Sequence, residues 1–156
     1  MFSNVTIKPF QPEDQTTVKN LILAGLAEHW GELDFSKNPD LNDITSTYAS
    51  GAFFVAWFKG EIVGTGALIP HSAGIAQIVR MSVAQAMRRK RVATQILHHL
   101  IQYAKDYGYQ KIVLETTKDW YEAIEFYLHN GFRFTHFRDG DVFFVLDLFN
   151  PDKPDT

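Results

Sequence analysis

The chain has 156 residues, 46% hydrophobic and 21% charged, and its 13 Phe, 6 Tyr and 3 Trp can fill a core. This composition is typical of one globular domain and excludes a disordered or fibrous chain. The net charge of −3 excludes a uniformly basic, polyanion-binding surface, and the absence of Cys excludes disulfides, thiolate zinc sites and a cysteine nucleophile.

The two ends of the chain give expectations about location and domain organisation. Residues 1–6 lack the basic and apolar regions of a signal peptide, and no apolar run approaches the about 20 residues of a membrane span. We therefore expect a cytoplasmic protein with no membrane contact. No repeat or linker interrupts residues 1–149, which are predicted to form one domain, and the polar residues 150–156 are predicted to form a flexible tail.

The first half of the chain predicts helices followed by a hairpin. A proline and two acids begin the first helix, whose apolar residues recur at helical spacing, and Lys59-Gly60 is typical of a tight turn between strands. The predicted elements are a strand at 5–10, a helix from about 12 to 29, a short helix at 40–48, and strands at 52–58 and 61–69.

The second half alternates strands and helices before a final hairpin turned at Asp139-Gly140. Parallel pairing is therefore expected between the strands at 75–83 and 111–115, and the hairpins make the sheet mixed. The predicted fold class is α/β, with a central sheet of about seven strands flanked by about four helices. The predicted elements are strands at 75–83, 111–115, 132–138 and 142–148 and helices at about 89–107 and 120–130.

Four basic residues, 88–91, stand at the start of the long helix, and no acid lies near them in sequence. Cations at a helix N-terminus are unfavourable by about 0.3–1 kcal/mol each, because the end already carries partial positive charge and unpaired N–H groups. An anionic ligand such as a phosphate would resolve the conflict. A solvated basic turn and a nucleic-acid patch are the alternatives, and the acidic chain with no second basic stripe counts against nucleic acid.

The segment from Val79 to Ala93 resembles the acetyl-coenzyme A segment of the GNAT superfamily of N-acetyltransferases. The family pattern is a strand, then Gln/Arg-x-x-Gly-x-Gly/Ala at the start of a long helix. Arg88 fills the first position of that pattern and Ala93 the last, whereas Arg91 stands where glycine is usual.

A second block, residues 123–132, resembles the family's Ala-x-x-x-Tyr…Gly-Phe ending and includes Tyr127. Trp120 stands where many members carry asparagine, so that cofactor contact is in question. Together with the strand order, the two motifs extend the resemblance over nearly the whole chain. A finer resemblance is to the camello-like branch, and it is carried by residues 80–83, 104–109 and 113–117.

The resemblance implies acetyl-coenzyme A as cosubstrate, no metal, and a V-shaped opening between the two central parallel strands. A backbone N–H, that of Val83, is implied as the donor to the developing oxyanion, and the hydroxyl of Tyr127 as the donor to the leaving thiolate. Core packing is the alternative role for this tyrosine. The implied cofactor-binding residues are Ser82, Val83, Arg88, Arg89, Lys90, Arg91, Val92, Ala93 and Thr94.

The general base and the acceptor site are less determined. Glu115 is a carboxylate in an otherwise apolar strand, and burial would raise its pKa towards a value useful for a base. An ion pair with Arg80 is the alternative for this carboxylate, and a water chain is the alternative base. Arg80 is itself a candidate for binding a carboxylate on the acceptor. Trp30, Phe35 and Tyr48 either line the acceptor pocket or pack between helices.

Three functions remain open from the sequence. The first is direct acetyl transfer to a primary amine of a small molecule or peptide, and the second is a non-catalytic coenzyme A-binding sensor or interaction module of the same fold. The third is nucleic-acid binding through residues 88–91. Six phenylalanines near the C-terminus are consistent with either a homodimer surface or core packing: Phe132, Phe134, Phe137, Phe143, Phe144 and Phe149.

Overall fold

The structure is a computed structural model and describes residues 4–31 and 37–149. Short 3-10 helices occur at Pro12–Asp14, Pro39–Asn42 and Gln85–Met87. In chain order the strands and α-helices are β1 (Thr6–Pro9), α1 (Gln15–Trp30), α2 (Ile44–Thr47), β2 (Ala52–Phe58), β3 (Glu61–Ser72), β4 (Ile75–Val83), α3 (Val92–Asp106), β5 (Lys111–Thr117), α4 (Tyr121–His129), β6 (Arg133–Arg138) and β7 (Asp141–Asp147).

The seven strands form a mixed sheet in the order β1-β2-β3-β4-β5-β7-β6. Strands β4 and β5 are parallel, and their register pairs Ile75 with Lys111 and Gln77 with Val113. The pairs β1–β2, β2–β3, β5–β7 and β6–β7 are antiparallel. The predicted α/β fold class, with its parallel central pair, is confirmed. Among the described residues no helix is both long enough and apolar enough to span a membrane.

The chain divides into two units by its internal contacts. The N-terminal unit comprises Met1–Ile69 and Val79–Leu100, and the C-terminal unit comprises Pro70–Ile78 and Ile101–Thr156. The core of the N-terminal unit lies between α1, α2 and the strands β2 and β3. Its buried side chains are Val18, Ile22, Leu23, Leu41, Ile44, Tyr48, Phe53, Val55 and Ala67.

Helix α3 lies directly against β3 because two positions of the strand carry no side chain. A Cβ on Gly66 would lie 2.5 Å from Cγ2 of Ile96, and one on Gly64 would lie 2.8 Å from Cδ1 of the same residue. The helix buries an apolar stripe against the strand, since Val92, Ile96, Leu97, Leu100 and Ala104 are at most 2% exposed.

The C-terminal unit packs α4 and the final hairpin around aromatic side chains. Phe132 and Phe144 are buried, whereas Phe134 and Phe137 of the end strand β6 are 46% and 67% exposed. The six phenylalanines are therefore divided between core and surface. The hairpin turns at Asp139 and Gly140, whose φ angles of 52° and 86° match the type I′ geometry predicted from this dipeptide.

The largest difference from the predicted elements lies at the start of α3. The helix was expected from about Arg89 but begins at Val92, because Arg89 and Arg91 both have φ of 63°, which a right-handed helix cannot accommodate. The predicted tail at 150–156 and Phe35 lie outside the described residues. The boundaries of the single domain expected at 1–149 stay a prediction.

Candidate functional site

The basic segment 88–91 forms a turn between β4 and α3. The first backbone hydrogen bond of the helix runs from the Gln95 N–H to the Arg91 carbonyl at 3.1 Å. The N–H groups of residues 92–94 therefore have no carbonyl acceptor inside the helix. No acidic residue lies in the first turn of α3. Arg89, Lys90 and Arg91 are all exposed. Several N–H groups and three cationic side chains therefore converge on one helix end.

Arg88 differs from its neighbours because it has a carboxylate partner. Its two terminal nitrogens donate to the two carboxylate oxygens of Glu28 on α1, at 2.5 and 2.8 Å, and its Nε donates to the Val83 carbonyl at 3.3 Å. The hydrogen bond from Arg88 holds the pKa of Glu28 below its usual value. No acid lies near the cluster in sequence, but in the folded chain Glu28, 60 positions away, pairs with Arg88. Arg88 fastens the turn to α1 and to the end of β4.

Arg91 occupies the position where the family usually has glycine. Its φ of 63° is in the left-handed region, which glycine adopts freely and other residues adopt at a cost of about 1–2 kcal/mol. The side chain departs from the family pattern, but the backbone still takes a conformation that favours glycine. Strain of this kind is often concentrated at functional sites.

The end of β4 presents backbone groups in two directions. The Ala84 N–H donates to the Val63 carbonyl of β3 at 2.8 Å. Because successive N–H groups of an extended strand point to opposite edges, the Val83 N–H points away from β3. Ser82 lies close to α1, since a Cβ on Gly25 would be 3.2 Å from its Oγ.

Arg80, earlier in β4, is held by residues that precede α2. Its Nε and one terminal nitrogen donate to the two Asp40 oxygens at 2.9 and 2.6 Å, and that terminal nitrogen also donates to Asn38 Oδ1 at 3.0 Å. The alternative of an ion pair with Glu115 is therefore replaced by the pair with Asp40. The φ of Arg80 is 57°, and its carbonyl accepts a bond from the buried Thr65 hydroxyl at 2.8 Å.

Tyr48 completes this network by donating its hydroxyl to Asp40 at 2.6 Å. Partial burial alone would raise the pKa of Asp40, but the hydrogen bonds from Arg80 and Tyr48 outweigh it and leave the pKa below its ordinary value. Burial, together with the bond to Asp40, raises the pKa of Tyr48 to about 12. Tyr48 is buried with the helix core, whereas Trp30 is 55% exposed.

In the C-terminal unit, Glu115 lies on β5 at the wall of an open pocket of about 290 Å³. The side chain is exposed rather than buried, contrary to the expectation for an apolar strand. Its pKa is nevertheless raised, first by partial desolvation and then by a hydrogen bond and charge repulsion from Asp141, and the charge of Arg138 opposes this shift. The carboxyl is thus shifted in the direction that suits a general base.

Tyr127 on α4 is 7% exposed and packs against Phe126, Phe132 and Phe144. Burial raises its pKa, so the phenol is neutral at physiological pH and remains a hydrogen-bond donor. Its hydroxyl makes no hydrogen bond among residues 4–31 and 37–149. Every fully buried side-chain oxygen in these ranges has a hydrogen-bond partner, so the Tyr127 oxygen is not fully buried. The ring therefore packs in the core while the hydroxyl keeps access to solvent.

The structure thus places the predicted residues in two groups. Arg80, Ser82, Val83 and residues 88–94 belong to the N-terminal unit, and Glu115 and Tyr127 belong to the C-terminal unit. Sequence reasoning missed four charged partners of these residues, Glu28, Asp40, Arg138 and Asp141. Only the final hairpin offered a sequence signal for any of these partners. Its turn fixes the register of the two strands, and that register brings Arg138 opposite Asp141.

Comparison with known proteins is consistent with this geometry. Residues 17–132 match the sequence profile described as Acetyltransferase (GNAT) family. The chain is 36% identical over 103 residues to N-acetyltransferase family 8 member 2 of Rattus norvegicus, an alignment that covers 62% of this chain and 46% of that protein. Relatives of this kind support the camello-like branch. The chain spans about half the length of such curated relatives.

Two solved structures show the same fold. A GNAT acetyltransferase from Staphylococcus aureus Mu50 superposes with a TM-score of 0.86 at 23% identity, covering 94% of this chain and 100% of that one. The PaiA N-acetyltransferase from Thermoplasma acidophilum, in complex with coenzyme A, superposes with a TM-score of 0.81 at 17% identity, covering 92% and 99%. At these identities the likeness concerns the fold.

Proposed function

Because the chain belongs to the Acetyltransferase (GNAT) family, we propose that it moves an acetyl group from acetyl-coenzyme A directly to a primary amine of a small molecule or peptide. The observation that carries the proposal is the turn before α3, where N–H groups without an acceptor inside the helix lie next to exposed cationic residues in a left-handed backbone. This is the chemistry that binds phosphate oxygens. It occurs in the segment whose sequence resembles the family's cofactor motif.

The proposed cofactor contacts follow from the direction of these groups. The N–H groups of Val92, Ala93 and Thr94, with the side chains of residues 89–91, bind the pyrophosphate. Arg88 acts from beside them by fixing the turn through Glu28. The backbone near Ser82 pairs with the pantetheine arm, and the Val83 N–H, directed away from β3, donates to the thioester carbonyl oxygen.

The proposed chemistry is a direct displacement. The acceptor nitrogen forms a bond to the acetyl carbon while the carbon–sulfur bond breaks and its electron pair stays on sulfur. Glu115, directly or through a water molecule, takes a proton from the nitrogen. The Tyr127 hydroxyl donates a proton to the thiolate and regains one from water. The raised pKa of Glu115 makes it a stronger base, and the raised pKa of Tyr127 keeps the phenol protonated near neutral pH.

The alternative, a non-catalytic module that binds coenzyme A, needs the turn but neither Glu115 nor Tyr127. The perturbed carboxyl and the phenol without a hydrogen-bond partner therefore favour the enzyme. Nucleic-acid binding is less favoured, because the Arg88–Glu28 ion pair lowers the net charge of the basic segment. The cytoplasmic location expected from the sequence is part of this proposal.

A thermal melt with acetyl-coenzyme A, with ATP as a phosphate-only control, tests the cofactor site. At about one hundred times the dissociation constant, binding adds about 2.7 kcal/mol, a rise of about 5–10 °C for a chain of this size. Arg91→Glu should remove most of the rise. Lys105→Glu, the same charge change near the other end of α3, should keep it. No rise for the unmodified chain at millimolar ligand would contradict the proposed function.

A further inference from the structure

The open pocket of the C-terminal unit carries side chains of both charges. Its volume of about 290 Å³ is at the lower end for small-molecule sites. Among the described residues no group of three His, Cys, Asp or Glu side chains is arranged to hold a metal ion. The polar lining consists of His71, Gln77, Glu115, Thr135, His136 and Arg138.

One side of the pocket is lined by the Glu115 carboxyl, and a second carboxyl, that of Asp141, lies beside it outside the lining. Glu115 on β5 faces Phe143 across the antiparallel ladder, and Asp141 faces Thr117, so the two acids are diagonal neighbours on β5 and β7. Like charges on neighbouring carboxylates repel each other, and an ammonium group bound at Glu115 would relieve that repulsion.

Another side of the pocket has an arginine without a carboxylate partner. The guanidinium of Arg138 lies over the Phe143 ring, 4.7 Å from its centre, and no carboxylate of the described chain comes within 4.0 Å of it. By contrast, Arg133 on the same strand donates to Asp147 at 3.3 Å. A guanidinium stacked on a ring keeps its edge donors for a planar, bidentate acceptor such as a carboxylate.

The wall between these charges is aromatic. The His136 ring stacks on Phe143 with their centres 4.4 Å apart and their planes 8° from parallel. Phe143 therefore supports both His136 and Arg138. The pocket thus offers an anionic position, a cationic position and a flat apolar surface within one small volume.

We infer that this pocket is the acceptor site and takes a small zwitterionic amine of the amino-acid type, with its carboxylate on Arg138 and its amino group at Glu115. The inference rests on the proposed function, because a base must lie within hydrogen-bond reach of the nitrogen that it deprotonates. It moves recognition of the acceptor carboxylate from Arg80 to Arg138, because the Nε and one terminal nitrogen of Arg80 already donate to Asp40 and Asn38.

The protons balance over the reaction. The ammonium of the bound acceptor gives one proton to Glu115, which passes it to water. The neutral amine then attacks, and the second proton that leaves the nitrogen ends on the thiol of coenzyme A. The products are an N-acetylated acid, free coenzyme A and one proton in solution.

The test measures thiol release with the standard amino acids, each beside its carboxamide, which keeps the amine and removes the negative charge. For the amino acids that react, we expect kcat/KM about 10- to 100-fold above that of the matched amide, the range of one charged hydrogen-bonded contact. In Arg138→Gln this ratio should fall to about one. Arg133→Gln, on the same strand but outside the pocket lining, should keep the wild-type ratio.

Each outcome decides a separate point. A wild-type ratio near one, or a high ratio that Arg138→Gln leaves intact, overturns the assignment. A thermal shift with acetyl-coenzyme A but no reaction with any amino acid overturns the acceptor class and leaves the cofactor site standing. Neither a thermal shift nor thiol release overturns the proposed function itself.

Discussion

The two units of the chain treat their charged residues differently. In the N-terminal unit, Arg80 and Arg88 each hold a carboxylate through two nitrogens, and these partners are Asp40 and Glu28. In the C-terminal unit, Glu115 has the like-charged Asp141 as its neighbour. A satisfied ion pair fixes geometry, whereas a carboxyl beside a like charge has a shifted pKa and gains from a cationic ligand.

This difference suggests a division of labour. The N-terminal unit supplies a preorganised backbone, namely the end of β4 and the turn before α3, which Arg88 joins through its bond to the Val83 carbonyl. The C-terminal unit supplies Glu115 and Arg138, which make no direct ion pair among the described residues, although Asp147 of the same unit pairs with Arg133. Substitutions in the first unit should therefore change stability and cofactor affinity, and those in the second should change turnover, pH dependence and acceptor choice.

The largest effect is expected from Tyr127→Phe. Removing the hydroxyl removes the proton donor to the thiolate, so kcat should fall by about 10²–10⁴-fold, while the near-identical ring keeps the core packed. Acetyl-coenzyme A should still raise the melting temperature as in the wild type. Tyr121→Phe is the matched control on the same helix, since Tyr121 is 70% exposed. Equal turnover in both variants would remove Tyr127 from the mechanism.

A second effect concerns pH. Asp141 raises the pKa of Glu115, so Asp141→Asn should lower it and keep the base deprotonated in more acidic solution. The acidic limb of the kcat/KM profile should therefore move to lower pH. Asp147→Asn, on the same strand but paired with Arg133, serves as the control and should leave the limb in place. An acidic limb that Asp141→Asn does not move would argue against Glu115 as the base.

In the N-terminal unit, Asp40→Asn should act on stability. Arg80 and Tyr48 would lose a charged acceptor in a partly buried network, which should lower the free energy of unfolding by about 1–3 kcal/mol. The pKa of Asp40 is lowered on folding, so its contribution is present at neutral pH and is lost as the pH falls through its folded-state pKa, below 3.8. Denaturant unfolding at two pH values measures the loss of stability and its dependence on pH. A variant that unfolds at the wild-type midpoint would contradict the importance of this network.

The smallest effect is expected at Arg91. Arg91→Gly should relieve the left-handed strain and raise the free energy of unfolding by about 1 kcal/mol, whereas Arg91→Ala keeps the strain. Both variants remove the same charge and should weaken acetyl-coenzyme A binding alike. Thermal melts of the two variants with and without acetyl-coenzyme A separate the effect of backbone strain on stability from the effect of the lost charge on binding. Equal stability of the glycine and alanine variants would mean that the strain is negligible.

Much of the fold could be predicted because its signals are local. The apolar stripe of α3, the Asp139-Gly140 turn and the alternation of strands and helices each depend on neighbours within a few residues. The start of α3 could not be predicted in this way. Arginine does not itself signal the positive φ that Arg89 and Arg91 adopt, although the family motif has glycine at the position of Arg91.

From the sequence, the residues of the site could be predicted only within the family motifs. Tyr127 and residues 88–94 could be named from the motif, but their partners could not. Glu28 lies 60 positions from Arg88, and Asp40 lies 40 positions from Arg80. Such ion pairs depend on how distant elements pack, and no periodicity in the sequence encodes them. Arg138 could not be identified from the sequence for the same reason, because its proposed role depends on its position over the Phe143 ring.

The bare face of β3 has a consequence for how this chain can diverge. Ile96 is the nearest neighbour of both glycine positions, 64 and 66, so a methyl group at either would overlap its side chain. Homologues that carry a larger residue at position 66 should therefore carry a smaller one at position 96. In an alignment these positions should appear as a covarying pair, and a library that randomises only one of them should return almost no folded clones.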